Sequence, residues 1–582
     1  MGRPVGRRPD GARAGLTPAP RPAPAGPVRG EHPRPARGKS VLATRGRNDT
    51  IGTAAPGRSR VLLPVPDSPA PSDSPTHPAL SRSPLVMAKV LTAGSPWRVI
   101  LVFAVPLLVG NVVQQLYQFA DAVVVGRHLG VDSLGAVGAT GSLLFLLLGF
   151  VWGMTSGFAI PTAQAFGARD LAGVRRSVAT GTLLTGAASL VLTVAAPLLA
   201  GPVLALLRTP EVLRAEATTF AQVSFLGTGA LMFFNYLSAI IRAIGDSRTP
   251  LVFLTLACLL NVGLVVLLVG PAGLGVGGAA LATVLAQAVS VLLCLEFVRR
   301  RVPVLHVRRG DWRVPRADLA EHLRLGLPMG FQASIIAIGA LAVQVRLNDL
   351  GADAVAAYTT ASRVDGLAVA LLQSLGLAVS MFVAQNLGGG RPDRIRQGVV
   401  QATGMAVAGS VALGALLLLT GRTLVRTFVG DGADEVVHLA TQFLHVNAAM
   451  YALLGVLFVL RGGLQGLGRT GVPTLTGVIE LVMRVGAAIV LGGAFGFVGV
   501  VWGNPLAWAG AVVLLVPAYA RAHRHLATLP IAPLEQVVAT PEPVPVEGPS
   551  DGSMVVDAVV PRPRPAADAG ADQRPEAHQG VR

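Results

Sequence analysis

Residues Pro106–Gly126 read PLLVGNVVQQLYQFADAVVVG, and this stretch decides the class of the fold. It lies in an apolar run that is long enough to cross a bilayer as a helix. Yet Asn111, Gln114, Gln118 and Asp121 recur in it at the three- to four-residue spacing of one helical face. The stretch therefore predicts a membrane-spanning helix with a polar stripe along one side.

The carboxylate of Asp121 is the most informative group of this stripe. An ionisable side chain inside a membrane span costs about 2.5–3.5 kcal/mol on insertion scales, so such a residue usually has a function. The alternative is that Asp121 lies at the mouth of the helix and is hydrated among the lipid headgroups.

The composition points to the membrane. Hydrophobic residues make up 52% of the 582 residues and charged residues only 14%, whereas a soluble protein has about 25% charged residues. Cys258 and Cys294 both lie in apolar segments, so neither a disulfide framework nor a thiolate metal site is expected. The net charge of +17 lies in the tails and alternate loops, which argues against nucleic-acid binding.

Both ends of the chain are predicted to be disordered. Residues 1–86 are rich in Pro, Arg, Ala, Gly and Ser, and residues 521–582 are Pro-rich with mixed charge. The first segment lacks the apolar core of a secretory signal. It is either a basic arm that touches anionic lipid or sequence upstream of the true start, since Met87 opens a plausible cytoplasmic leader.

Twelve apolar segments are long enough to span a membrane. Six lie in an N-terminal half at 87–298 and six in a C-terminal half at 325–520, with a basic linker at 299–324 between them. Several exceed the usual length, so helical ends outside the hydrocarbon or proline kinks are expected. The predicted spans lie near residues 99–125, 136–165, 177–207, 217–244, 250–270, 275–298, 325–349, 354–387, 398–420, 436–466, 473–493 and 498–520.

The charges of the loops orient these spans. Arg residues cluster after the even-numbered spans and in the linker 299–324, which holds eight Arg and three acids, whereas the other loops carry fewer. By the positive-inside rule, both termini and the linker are predicted to be cytoplasmic.

The two halves repeat each other at a spacing of about 220 residues. The segment GFAIPTAQAFGARD around Gln164 matches LAVSMFVAQNLGGGRPD around Gln385, and the match also aligns Gly167 with Gly388. Because each half has an even number of spans, both copies share one orientation, which indicates a parallel repeat about the membrane normal. Two similar bundles with a polar cavity between or within them are typical of transporters.

Five segments resemble the multidrug and toxic compound extrusion (MATE) exporters, and most of all their bacterial branch related to the DNA-damage-inducible members. The segments are PLLVGNVVQQLYQFADAVVVGRHLG, AQAFGARD, RAIGDSRTP, AQNLGGGRPDRIRQG and FVLRGGLQGLGRTGVP. The resemblance covers residues 99–520. It implies an all-α integral membrane fold with twelve transmembrane helices in two six-helix pseudo-symmetric bundles. It also implies export of bulky, often cationic organic compounds by alternating access, driven by inward H⁺ or Na⁺ flow.

The resemblance assigns roles to residues of the first and fifth spans. Asp121 occupies the place of an acidic residue implicated in ion coupling, and Pro106 matches a proline at which the helix is proposed to bend. Asn261 is a second candidate for ion coupling, but the position one turn on is Val265, where many relatives carry Asp. Asp121 is then the only apparent deep acid of the N-terminal half, which favours H⁺ over a two-carboxylate Na⁺ site.

Four amides complete the predicted substrate cavity, namely Asn111, Gln114, Gln118 and Gln344. Amides in membrane helices also serve simply to bond neighbouring helices, so this structural role is the alternative.

Charged residues in the C-terminal half allow two interpretations. Glu480 and Arg484 lie at i and i+4 of one predicted helix, near the membrane midplane. They form either an internal ion pair that fixes packing or a contact used in gating or substrate binding. Arg461 and Gln465 in the tenth span are open to the same two interpretations.

The sequence therefore predicts a secondary active multidrug exporter and not an enzyme, because neither G-x-x-x-x-G-K-[ST] nor H-E-x-x-H occurs. No catalytic residue, metal site or cofactor beyond the coupling H⁺ or Na⁺ is expected. Its expected partners are small organic substrates and membrane lipid, not nucleic acid, and it is expected to be a monomer. The expected location is the bacterial inner membrane, multi-pass, with both termini cytoplasmic.

Three alternatives remain open. A flippase for lipid-linked saccharides of the same superfamily would favour a more basic central cavity. An intramembrane enzyme would need a second catalytic group facing Asp121, and the sequence shows none. A non-transporting membrane scaffold would need neither a coupling group nor a substrate cavity.

Overall fold

The structure is a computed structural model that describes residues 91–206, 209–430 and 433–531. The predicted disordered segment 1–86 and most of the predicted tail 521–582 lie outside these residues. Within the described ranges the chain consists of helices and short connections, without a strand. The prediction of an all-α protein is confirmed.

Thirteen α-helices follow one another in the described part of the chain. They are α1 (Pro96–Leu129), α2 (Val131–Gly167), α3 (Leu171–Leu206), α4 (Glu211–Leu226), α5 (Thr228–Ala243), α6 (Arg248–Val269), α7 (Gly275–Arg301), α8 (Arg316–Asp349), α9 (Ala352–Gly388), α10 (Pro392–Val429), α11 (Asp434–Gly466), α12 (Gly471–Val501) and α13 (Gly503–Ala527). Eleven are long and apolar enough to cross a membrane, and α4 with α5 makes a twelfth span when the pair counts as one. This agrees with the twelve predicted spans.

The fourth span is broken, where the sequence predicted one continuous segment. Helices α4 and α5 meet at Gly227 with a bend of 47°. A Cβ at Gly227 would lie 2.9 Å from Cγ1 of Val284 on α7, so this position has no room for a side chain. The bend therefore occurs at a residue against which α7 packs closely, a contact that the apolar pattern does not encode.

Two predicted boundaries shift. The sequence predicts that the eleventh span ends at 493 and that the twelfth begins near 498, but α12 turns at Gly496, with φ of 57°, and α13 begins at Gly503. Glycine adopts this positive φ readily because it lacks a Cβ.

The linker is also shorter than the predicted 299–324. Helix α7 extends to Arg301, α8 begins at Arg316, and two short 3₁₀ turns lie between them. Arginines at the end of a helix interact favourably with its dipole, so the basic run continues α7 instead of ending it.

Small residues let α2 and α8 approach closely. A Cβ at Gly157 on α2 would lie 2.6 Å from Cα of Gly326 on α8, and one at Gly330 would lie 3.0 Å from the carbonyl oxygen of Phe150. Such contacts are a main source of attraction between helices in lipid, where the hydrophobic effect gives little. This seam joins the N-terminal half to the C-terminal half.

Candidate functional site

The candidate site in the N-terminal half lies where α1 packs against α6 and α7. The Tyr117 hydroxyl on α1 and the Thr283 hydroxyl on α7 are 3.0 Å apart and share a hydrogen bond. Nδ2 of Asn261 on α6 donates to the same Thr283 oxygen over 3.0 Å. Asp121 lies one helical turn after Tyr117, on the same side of α1. The three helices therefore hold four polar side chains in one region.

Two oxygen atoms of this region lack hydrogen-bond partners among the described residues. Oδ1 of Asp121 and Oδ1 of Asn261 are both buried and unpaired, and the Asn261 side chain is only 1% exposed. A buried polar atom without a partner costs free energy, more so for a carboxylate. A proton on Asp121, or a small cation held by oxygens, would remove that cost.

The position one helical turn after Asn261 is apolar. Val265, one turn after Asn261, is fully buried. Asp121 itself lies about 12 Å along the axis from the end of α1 at Leu129, given the rise of an α-helix. The arrangement offers one carboxylate that can accept a proton, beside one amide oxygen and two hydroxyls.

The polar stripe of α1 contacts both halves of the chain. Nδ2 of Asn111 donates to the Ser374 hydroxyl on α9 over 2.9 Å. Tyr117 contacts α7 of the N-terminal half. Around the helix axis, the side chains of Gln114 and Gln118 lie between those of Asn111 and Tyr117, and both are exposed. Both amides are therefore accessible, as residues of a substrate cavity must be. Helix α1 continues through Pro106 as one element.

The fourth predicted cavity residue lies elsewhere. Nε2 of Gln344 on α8 donates to Oδ1 of Asn348 on the same helix over 3.0 Å. The contacts described for Gln344 do not join it to the stripe of α1.

The predicted Glu480–Arg484 pair is not the main ion pair of the C-terminal half. The primary partner of Glu480 is Arg461 on α11, whereas Arg484 is 4.0 Å away and its Nε donates to Asn504 on α13. Arg461 also donates to the Thr476 hydroxyl over 3.2 Å. The predicted i, i+4 ion pair is therefore present, and the closer partner on α11 is an addition that the spacing along one helix does not reveal.

Gln465 and Asp365 also take part in cross-helix contacts. Nε2 of Gln465 on α11 donates to Oε1 of Gln332 on α8 over 3.2 Å. Oδ1 of Asp365 on α9 accepts from the Tyr451 hydroxyl over 2.7 Å and from Asn447 over 3.1 Å. Asp365 is buried.

Sequence reasoning missed Tyr117 and Thr283 at the first site and did not join Asp365 to its partners. Tyr117 carries a recognisable signal, because it stands four residues before Asp121 in the same polar span. Asp365 shows the signal that singled out Asp121, a carboxylate in an apolar span. Thr283 offers no such signal, since a lone hydroxyl is common in membrane helices.

Known proteins are similar to this chain in sequence. The MatE family model matches residues 106–267 and 328–503. The probable multidrug resistance protein YpnP of Bacillus subtilis (strain 168) is 29% identical over 379 residues, which cover 65% of this chain and 84% of YpnP. The probable multidrug resistance protein YoeA of the same strain is 29% identical over 449 residues, covering 75% of this chain and 96% of YoeA.

A solved structure described as the outward-facing conformation of a multidrug resistance MATE family transporter of the MOP superfamily has the same fold. It matches with a TM-score of 0.70 at 22% identity and covers 75% of this chain and 98% of that one. Since the family model spans more than half of the sequence, this multi-pass membrane protein belongs to the MatE family of multidrug and toxic compound extrusion transporters.

Proposed function

We propose that this chain exports bulky, often cationic organic compounds in exchange for an inward flow of H⁺, with Na⁺ as the alternative coupling ion. The observation that carries the proposal is the pair of buried, unpaired oxygens on Asp121 and Asn261. The names of the relatives YpnP and YoeA support the substrate class. The proposal includes no enzymatic reaction.

Proton binding at Asp121 supplies the coupling step. When Asp121 is charged, its buried oxygen lacks a donor, and the charge favours the state in which water reaches this region. When Asp121 binds a proton, the charge is removed and the region can close against α6 and α7. The carrier thereby favours one access state when loaded and the other when empty. The apolar Val265 supports H⁺, because a dehydrated Na⁺ would need more oxygens.

The substrate path follows the exposed part of the α1 stripe. Gln114 and Gln118 offer amide groups that adapt to different substrates, and Asn111 links the stripe to α9. In the C-terminal half, Arg461 and Arg484 both lie against Glu480, which neutralises one of these two positive charges. The carboxylate of Asp121 and the uncharged amides of the α1 stripe support organic cations over the anionic headgroup of a lipid-linked saccharide.

Charge at the helix ends supports the orientation of the carrier. Helix ends on the side where α1 begins are rich in arginine, so we place that side and both termini in the cytoplasm of a bacterial cell. These arginines are Arg98, Arg175, Arg176, Arg248, Arg299, Arg300, Arg301, Arg316, Arg391, Arg396, Arg521 and Arg524.

The decisive experiment is flux through the purified protein in liposomes. We expect an imposed pH gradient to drive the uptake of ethidium into the liposomes in exchange for H⁺. The buffer contains K⁺ in place of Na⁺. Uptake that requires Na⁺ would assign the alternative ion. If the folded protein takes up none of several organic cations with either ion, the proposed export function is contradicted. That result would favour a flippase or a scaffold.

A further inference from the structure

Two glutamines connect the halves of the chain at the end of the bundle where α1 begins. Nε2 of Gln164 on α2 donates to the carbonyl oxygen of Gly466 over 3.1 Å. Nε2 of Gln385 on α9 donates to the carbonyl oxygen of Ala243 over 2.7 Å. Each bond therefore runs from one half to the other, in opposite directions.

The two acceptors are equivalent positions. Ala243 is the last residue of α5 and Gly466 is the last residue of α11. Carbonyl groups in the last turn of a helix have no partner within that helix, so each needs a donor from elsewhere. In each half that donor is the glutamine of the opposite half. The repeat that aligns Gln164 with Gln385 thus produces two matching bonds.

Two glycines bring the glutamines into place. A Cβ on Gly167 would lie 2.7 Å from Cα of Gln385, and one on Gly388 would lie 3.0 Å from Cα of Gln164. The ends of α2 and α9 therefore cross with their backbones in contact, which only glycine permits. Each glycine of one half lies against the glutamine of the other.

Gln385 also holds the segment that precedes α1. Its Oε1 accepts from the backbone N–H of Leu91 over 2.8 Å, and its side chain is fully buried. Arg394 on α10 donates to the carbonyl oxygen of Gly94 over 2.8 Å. The start of the N-terminal half is thereby bound to the C-terminal half at the same end of the molecule.

We infer that Gln164 and Gln385 form a two-fold clasp that closes the cytoplasmic end of the carrier. Both bonds break when that end opens and re-form when it closes, so the clasp sets the ratio of the two access states. The inference rests on the proposed alternating access. Neither glutamine needs to touch the substrate or the coupling ion, and both act as positioning residues.

The distance between the two halves tests the clasp. Spin labels are placed on Ala168→Cys and Gln397→Cys, exposed positions after α2 and within α10, in protein carrying Cys258→Ala and Cys294→Ala. Double electron–electron resonance in lipid nanodiscs then measures the distance distribution without substrate or gradient. Gln164→Met and Gln385→Met keep the side-chain volume but remove the donor.

Each variant is expected to lower the closed-to-open ratio about two- to tenfold, which is the range for one hydrogen bond, and the double variant is expected to lower it further. Gln222→Met is the matched control, because the Gln222 amide bonds to Pro197 within the N-terminal half. An unchanged distribution in both single variants and the double variant would overturn the clasp.

A second pair of variants decides the question if a glutamine variant does not fold. Gly388→Ala places a methyl group against the backbone of Gln164, whereas Gly404→Ala on α10 meets open space. Only Gly388→Ala should shift the labels apart, and equal distributions in the two variants would contradict the clasp. The distance measurement does not require transport. A failed export assay would therefore overturn the proposed function, but the distances would still test the clasp.

Discussion

Arg461 on α11 and Glu480 on α12 form an ion pair whose side chains are only 8% and 4% exposed. The pair joins two helices of the C-terminal half, and the hydroxyl of Thr476 accepts a further bond from Arg461. Removing charges from water is costly, so such a pair persists only where each charge satisfies the other. Loss of one partner leaves the other charge buried without a countercharge.

Glu480→Ala is expected to lower the free energy of unfolding by about 3–5 kcal/mol, because Arg461 then stays buried without a countercharge. The double variant Arg461→Met with Glu480→Met should recover part of that loss, because Arg461 is no longer charged whereas Arg484 still loses its contact with Glu480. The measurement is thermal unfolding of purified protein in detergent. Asp349→Ala is the matched control, since it breaks an exposed pair with Arg346 and should cost under about 1 kcal/mol. Equal losses for the two alanine variants would contradict this account.

Asp121→Asn should abolish transport that is driven by a pH gradient. The amide keeps the size and polarity of the side chain but cannot gain and lose a proton, so insertion and substrate binding should be unaffected. The measurement is substrate uptake into inverted membrane vesicles with an imposed pH gradient and no Na⁺. Asp121→Glu should retain partial activity with an altered pH optimum.

The control for this prediction is Asp353→Asn, an exposed carboxylate in the first turn of α9, which should transport at the parent rate. Parent rates in Asp121→Asn would show that Asp121 is a hydrated residue at the helix mouth and has no part in coupling.

Gly310→Cys should report the side of the membrane on which the linker lies. Gly310 lies in the second 3₁₀ turn, is exposed, and has open space where a side chain would extend, so the substitution should not disturb folding. In protein carrying Cys258→Ala and Cys294→Ala, a membrane-impermeant maleimide should label inverted vesicles and spare intact cells. Labelling of intact cells would reverse the orientation and place the clasp on the outer face.

Removal of residues 1–86 should leave insertion and transport unchanged, because a chain that begins at Met87 keeps the contacts from Leu91 onward. A chain that begins at Pro96 loses the Leu91 bonds to Gln385 and the Gly94 bond to Arg394. We expect the shorter chain to unfold at a lower temperature in detergent. If both truncated proteins unfold at the same temperature, the leader contributes nothing to holding the halves together.

The sequence alone is enough to predict the membrane class, the twelve spans and the repeat. Apolar segments of bilayer length are a strong local signal, because a backbone in lipid must satisfy its hydrogen bonds within a helix. Asp121 and Asn261 stand out for the same reason, as polar groups in apolar surroundings. The alignment of Gln164 with Gln385 is visible in the sequence, but the hydrogen bonds that the two side chains make across the halves are not.

Only the tertiary structure decides which polar groups meet. The sequence suggests Arg484 as the partner of Glu480, because neighbours on one helix are the only contacts that spacing can predict. The closer partner, Arg461, comes from another helix, and its approach depends on how two helices pack. The same holds for Thr283 beside Tyr117 and Asn261. Packing between helices is set by the shapes of many small contacts at once, and a local pattern along one chain does not contain that information.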